Sequence, residues 1–210
     1  MPELILETEK MLLYQQQLGE WNNLNHLIIC KSSNQACIID PFDGKFWLDF
    51  CQLMEVEITE IWLTHTHWDH IKGVDAIYHN SDIQPTLRCH ILEQQRGYES
   101  TRADWWTHDE LSSVATMFGD IEFTVHCTPG HSPGHVTIIG DGAIITGDCL
   151  FLHSCGRTDL FGGDQEKQRQ SVLYLKEIFD TVSLDSLILP GHQYEQDDGS
   201  IPTTIELETF

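Results

Sequence analysis

The sequence predicts an α/β fold, two sheets packed face to face with helices outside, and three observations predict it. Apolar runs of strand length are punctuated by turn residues, and other stretches carry apolar residues at helical spacing. The two kinds come in the order strands, helix, strand, helix, then further strands and a helix, which suits two sheets each covered on its outer side. The 210 residues are read as one domain, 1–210, long enough to bury a core without disulfides.

Taken in order, Leu4-Ile-Leu6, Met11-Leu-Leu-Tyr14, Leu27-Ile-Ile-Cys30 and Ala36-Cys-Ile-Ile39 read as antiparallel strands, with Ser32-Ser-Asn-Gln35 as the turn between the last two. Lys45–Met54 is helical, Ile58–Leu63 is a strand, and a helix follows at about Ile71–Tyr78. After Thr86–His90, residues 93–119 form a less regular segment with Trp105 and Trp106, expected either to cover the active site as an aromatic lid or to pack into the core. Strands resume at Ile121–Cys127, Val136–Ile139 and Ala143–Thr146, separated by Pro-Gly and Asp-Gly turns. A helix spans Asp164–Phe179 with Asp164 as N-cap, and Ser186–Leu189 is the last strand.

Composition narrows the partners. The 33 Asp and Glu against 11 Lys and Arg give a formal charge of −22, which repels phosphate backbones and anionic lipid, so no nucleic acid and no membrane partner is expected. No apolar run approaches the ~20 residues of a membrane span. The start, M-P-E-L-I-L-E-T-E-K, has neither a basic stretch nor a long apolar core, and the seven scattered cysteines lack C-x-x-C spacing. A cytoplasmic protein with reduced thiols is expected; the oligomeric state is not legible.

The densest chemical signal is T-H-T-H-W-D-H at 64–70, which places His65, His67, Asp69 and His70 at the end of a strand. On extended backbone His65 and His67 share a face, and the turn that follows brings Asp69 and His70 to a neighbouring position. Imidazole and carboxylate are the ligands that Zn²⁺ and Fe²⁺ prefer. Three later turns present one candidate each after a strand: T-P-G-H-S-P-G-H (His131), T-G-D-C (Asp148) and L-P-G-H-Q-Y (His192). Together these residues suit two metal ions with room for a bridging hydroxide.

The ordered set T-H-T-H-W-D-H, P-G-H, T-G-D and P-G-H resembles the metallo-β-lactamase superfamily, and within it the glyoxalase II (hydroxyacylglutathione hydrolase) branch, over roughly residues 23–208. The resemblance implies a four-layer αββα sandwich with two Zn²⁺ at one edge, Fe²⁺ or a mixed Fe/Zn pair being the alternative. It implies that His65, His67 and His131 bind the first metal, that Asp69, His70 and His192 bind the second, and that Asp148 bridges them. Asp69 would also orient the attacking hydroxide. The implied activity is hydrolysis of a small acyl substrate, a glutathione thioester being the candidate. Arg157, in S-C-G-R-T-D, and Tyr194 match the branch's substrate-holding positions; Arg157 is equally able to pair with Asp159 or a helix carbonyl. Asp40 matches an early aspartate that steadies the His-rich loop, or else forms a turn before Pro41. His135 is expected to hydrogen-bond near the site rather than ligate, and His26, His79, His90, His108, His126 and His153 to be structural.

Departures bear on the substrate. Glutathione-specific relatives of the longer type carry a C-terminal helical domain with basic residues, whereas this chain stops about eighteen residues after His192. A mononuclear iron persulfide dioxygenase acting on glutathione persulfide is the alternative activity, opposed by Trp68 inside the motif and by G-H-Q-Y where A-H-D-Y is usual. A lactone or β-lactam hydrolase is a further alternative.

Overall fold

In the computed structural model, which describes residues 1–195, 199 and 203–207, seven strands form the first sheet in sequence order: β1 (Glu3–Glu7), β2 (Met11–Leu18), β3 (Asn23–Cys30), β4 (Gln35–Ile39), β5 (Glu57–Trp62), β6 (Thr86–His90) and β7 (Ala103–Trp106). Pairing is antiparallel through β4 and parallel from β4 to β7. The second sheet contains β8 (Ser113–Phe118), β9 (Ile121–Cys127), β10 (Val136–Gly140), β11 (Ala143–Gly147), β12 (Leu187–Pro190) and β13 (Ile205–Glu206), ordered β13-β12-β11-β10-β9-β8.

Alternation along the strands divides the apolar residues between layers. Ile28, Cys37, Ile39 and Trp62 face the second sheet and meet Phe123, Val125, Ile138 and Ile145 in the central core. Their neighbours Leu27, Ile29 and Ile38 point outward, under α1 (Gly44–Leu53) and α3 (Val74–Asn80), where Trp47, Phe50 and Ile77 cover them. On the far side Ile144 and Ile188 are covered by Leu175 and Phe179 of α4 (Gln165–Phe179). The result is the αββα sandwich that the sequence predicts. Asp164 caps α4, its side chain accepting from the N–H groups of Glu166 and Lys167 at 2.9 and 3.0 Å.

Two stretches differ from the expectation. Residues 93–119 are more regular: a 3₁₀ helix, Ile91–Arg96, leads to β7 and then β8. Trp106 packs edge-on against Trp62 in the central core, 5.9 Å between rings, while Trp105 is half-buried and packs against Tyr98 at the edge of the outer cluster. The helix expected at Ile71–Tyr78 is two helices, α2 (Trp68–Ile71) and α3, broken at Lys72-Gly73. At the break the backbone touches the start of α1: Gly73 donates to the Pro41 carbonyl at 2.7 Å, and a Cβ there would stand 2.5 Å from Gly44 N. Among the described residues no helix is long and apolar enough to cross a membrane. All seven cysteines are free, six of them buried and Cys155 exposed.

Candidate metal centre

The parallel strand β5 ends at Trp62, and the chain continues as Leu63–His67 into α2, for which His67 is the N-cap. This loop is clamped at both ends by buried carboxylates. Asp40, at the end of β4, accepts from Thr64 N and Thr64 Oγ1 at 2.8 and 2.6 Å. Glu93, fully buried, accepts from Thr66 N at 2.8 Å, from the Thr66 hydroxyl, and from Gly134 N at 2.8 Å, tying the His-rich loop to the loop that carries His131. Asp40 thus holds the site, and it does so in the left-handed region (φ 49°).

The last histidine is placed by the backbone around it. Leu24 N donates to Gly191 O and Gly191 N to Gly147 O, both at 2.8 Å, so the turn is pinned between the start of β3 and the end of β11. Gly191 has no room for a side chain: a Cβ would lie 2.3 Å from Asp148 Oδ1 and 3.0 Å from the His70 ring.

All seven expected ligands converge and are buried. His65, His67 and His131 form one group able to hold a metal ion, and Asp69, His70 and His192 a second. Asp148 reaches both: Oδ2 lies 3.3 Å from His131 Nε2 and 3.3 Å from His192 Nε2, and Oδ1 lies 3.5 Å from His70 Nε2. His65 and His70 also form a group with Asp40. Asp40, however, is already spent on Thr64 and on His70 Nδ1 at 3.0 Å.

Outer partners decide where the ring protons sit. His131 Nδ1 donates to the Arg157 carbonyl at 2.7 Å, His192 Nδ1 to the Trp21 carbonyl at 2.9 Å, and His70 Nδ1 to Asp40. The Thr64 hydroxyl gives its proton to Asp40, so it accepts from His65 Nδ1 at 3.0 Å. Each ring, when neutral, therefore turns an Nε2 lone pair inward. His65 and His131 bring theirs to 3.2 Å, as do His70 and His192. Facing lone pairs repel unless a cation or proton lies between them, and two nitrogens ~2.05 Å from a tetrahedral metal would be separated by about 3.3 Å. His67 Nε2 and Asp148 Oδ1 are also buried without a hydrogen-bond partner among the described residues. The donor set fits two metal ions.

The electrostatics distinguish the groups. Burial, reinforced by neighbouring histidines, keeps His65 well below its ordinary value and lowers His67 to about 3, so both are neutral and ready to coordinate. Burial also lowers His131. In the second group burial opposes the charge on His192, but Asp148 and Asp69 prevail and raise it to about 11; Asp148 and Asp40 likewise raise His70. Burial works against the Asp69 carboxylate too, yet its bond to His192 and the charge of His70 hold it at about 2. Asn23 Nδ2 donates to its Oδ2 at 2.8 Å.

The centre opens into a cleft of about 940 Å³. Trp21 and Trp68 meet edge-on, 4.7 Å between rings, along one part of its wall, and Phe151 and Tyr194 meet at 5.0 Å along another. Arg157 lies in the lining, but its guanidinium is engaged by Asp159 at 2.6 and 2.7 Å. Three participants escaped the sequence reading: Glu93, Asn23 and Arg96. Arg96 lines the cleft, and its charge helps to lower His67. His26, His90 and His126 instead bond to Gln15, the His108 carbonyl and Tyr174, away from the centre.

The model of the metallo-beta-lactamase superfamily matches residues 27–192. A hydroxyacylglutathione hydrolase from Tolumonas auensis is 30% identical over 174 residues, which are 81% of this chain and 62% of that protein's length. One from Shewanella loihica is 28% identical over 185 residues, 88% of this chain and 67% of the relative. Among solved structures, ETHE1 from Myxococcus xanthus shares the fold, with a TM-score of 0.74 at 24% identity over 93% of this chain and 80% of that one. TTHA1623, in a di-iron-bound form, superposes with a TM-score of 0.68 at 25% identity over 92% and 94% of the two chains.

Proposed function

Since the chain belongs to the metallo-β-lactamase superfamily, we propose that this centre holds two metal ions, zinc foremost, and hydrolyses a thioester of the hydroxyacylglutathione class. One observation carries the proposal: two pairs of inward Nε2 atoms, each 3.2 Å apart, with Asp148 within 3.5 Å of both groups. The relatives named hydroxyacylglutathione hydrolase support the substrate class. Held by these residues, metal ions would supply hydroxide at neutral pH and polarise the substrate carbonyl.

The chain's own residues do the rest. Asp69, ionised and fixed by Asn23, accepts a hydrogen bond from the nucleophile and aims it. The aromatic walls around Trp21, Trp68 and Phe151 shed water from a bound acyl group and strengthen the electrostatics of the centre. Tyr194 and Arg157 flank the thiol half, Arg157 after releasing Asp159. A thioester suits the site because its thiolate leaves readily. Zinc is favoured by the histidine-rich donor set; a di-iron relative makes iron the competing metal. A net charge of −22 disfavours nucleic acid, and seven free cysteines favour a reducing cytoplasm.

The test is thiol release from S-lactoylglutathione by metal-loaded protein, run beside oxygen uptake with glutathione persulfide. Metal-dependent thiol release with no oxygen uptake is the expected result. Stoichiometric iron with oxygen uptake and no thioester cleavage would replace hydrolysis with dioxygenation.

A further inference from the structure

Arg96 ends the 3₁₀ helix Ile91–Arg96 and lines the cleft together with His67 and His131. Its side chain is 14% exposed. A guanidinium stays charged when buried and offers five N–H donors in one plane. Here few of them are used. Nε donates to the Phe161 carbonyl at 2.9 Å. Nη1 stands 3.7 Å from Glu93 Oε2, beyond hydrogen-bond reach, and is buried with no acceptor among the described residues.

Glu93 is not free to turn toward it, because both its oxygens already accept from Thr66 and Gly134 in the two ligand loops. Arg96 is therefore ion-paired with Glu93 at 3.7 Å without a hydrogen bond, and its guanidinium keeps unmet donor capacity at the wall that carries the first group of histidines. Arg157 is the contrasting case, with Nε and Nη2 closed by the Asp159 carboxylate.

We infer that Arg96 is the specificity-determining cation of the cleft, and that it recognises a carboxylate of the substrate beside His67 and His131. The inference rests on the thioester reading above. A carboxylate oxygen is a charged acceptor for the guanidinium, and the low dielectric around a side chain only 14% exposed strengthens the contact. In a chain of net charge −22 an anionic substrate also needs such a local cation. The carboxylate belongs either to the acyl half or to the thiol half of the thioester, and both sources present the same chemistry to Arg96.

The test measures binding of unreactive thioethers to the metal-loaded protein by quenching of tryptophan fluorescence, Trp21 and Trp68 lying in the cleft wall. One pair of probes is S-hexylglutathione and its diethyl ester; the other is the S-(4-carboxybutyl) and S-pentyl thioethers of N-acetylcysteamine. The wild-type protein is expected to prefer the acid over its neutral partner by ~10-fold or more in one pair, and that pair identifies the half that carries the carboxylate. Arg96→Gln should abolish the preference, while Arg169→Gln, the same charge change on the exposed face of α4, should retain it. No preference for either acid in the wild type, or a preference that survives Arg96→Gln, would overturn the inference. Should Arg96→Gln fail to fold, Arg96→Lys decides: a weakened preference supports the guanidinium contact, and full retention refutes it. Because the probes do not react, absence of thioester cleavage would count against the proposed activity and leave this result readable.

Discussion

The main-chain N–H of Asp148 donates to His135 Nε2 across 3.1 Å. An imidazole nitrogen that accepts this bond has no lone pair left for metal, and Nδ1 is turned to the Thr128 hydroxyl at 3.0 Å. His135 therefore positions Asp148, the residue that lies between the two candidate metal groups. His135→Ala should weaken metal binding by roughly 10–100-fold, as loss of such supporting bonds commonly does, with the fold retained by circular dichroism. Chelator competition measures it, and an unchanged affinity would return His135 to a purely structural role.

His131 is required by the first group and also faces Asp148. His131→Ala is expected to remove activity and most of the metal from that group. Its outer bond goes to the Arg157 main chain, so the secondary structure should persist. Metal analysis of the purified variant checks this, and wild-type content would refute a ligand role.

Gly191→Ala puts a methyl 2.3 Å from Asp148 Oδ1. Backbone on either side is hydrogen-bonded to Leu24 and Gly147, so Asp148 must give way. A loss of ~1–3 kcal/mol in stability, typical of an overpacked site, should accompany reduced metal content. Denaturant unfolding and metal analysis together test it; a variant wild-type in both would mean that the turn relaxes without cost.

Acid should destabilise the metal-loaded protein well before the carboxylates titrate. Burial holds His26 at about 3, and chiefly burial holds His108 and His126 at about 4. Below ~6.5 the unfolded chain takes up protons that the folded one refuses, so stability falls as pH falls through that window. His26, fully buried, accounts for ~1.4 kcal/mol per pH unit there. Metal coordination would keep the candidate ligand histidines neutral and add in the same direction. Calorimetry should show a lower Tm at pH 5 than at pH 7; a level Tm across this range would contradict the assignment.

What the sequence reveals about this molecule follows the range of the interactions involved. The seven candidate ligands are legible because each follows a strand in a short, turn-rich motif, and β9 is visible end to end because Ile121–Cys127 alternates cleanly. Strand β8 is not, since Ser113–Phe118 is an edge strand that exposes most of its residues and needs little apolar patterning. Strand β7 is only four residues long and depends on its parallel neighbour β6. Glu93 and Arg96 sit in a segment with no periodicity, and their roles arise from contacts across 27 and 65 positions of chain. Gly73 looks like an interior helix residue until Pro41 and Gly44 are brought against it.

The central claim is that two metal ions act together on a thioester. Metal-free protein titrated with Zn²⁺ while thiol release from S-lactoylglutathione is followed tests it most directly. Binding of two equivalents per chain is predicted, with full activity reached only as the second site fills. Full activity at one equivalent, with no second ion bound, would contradict it.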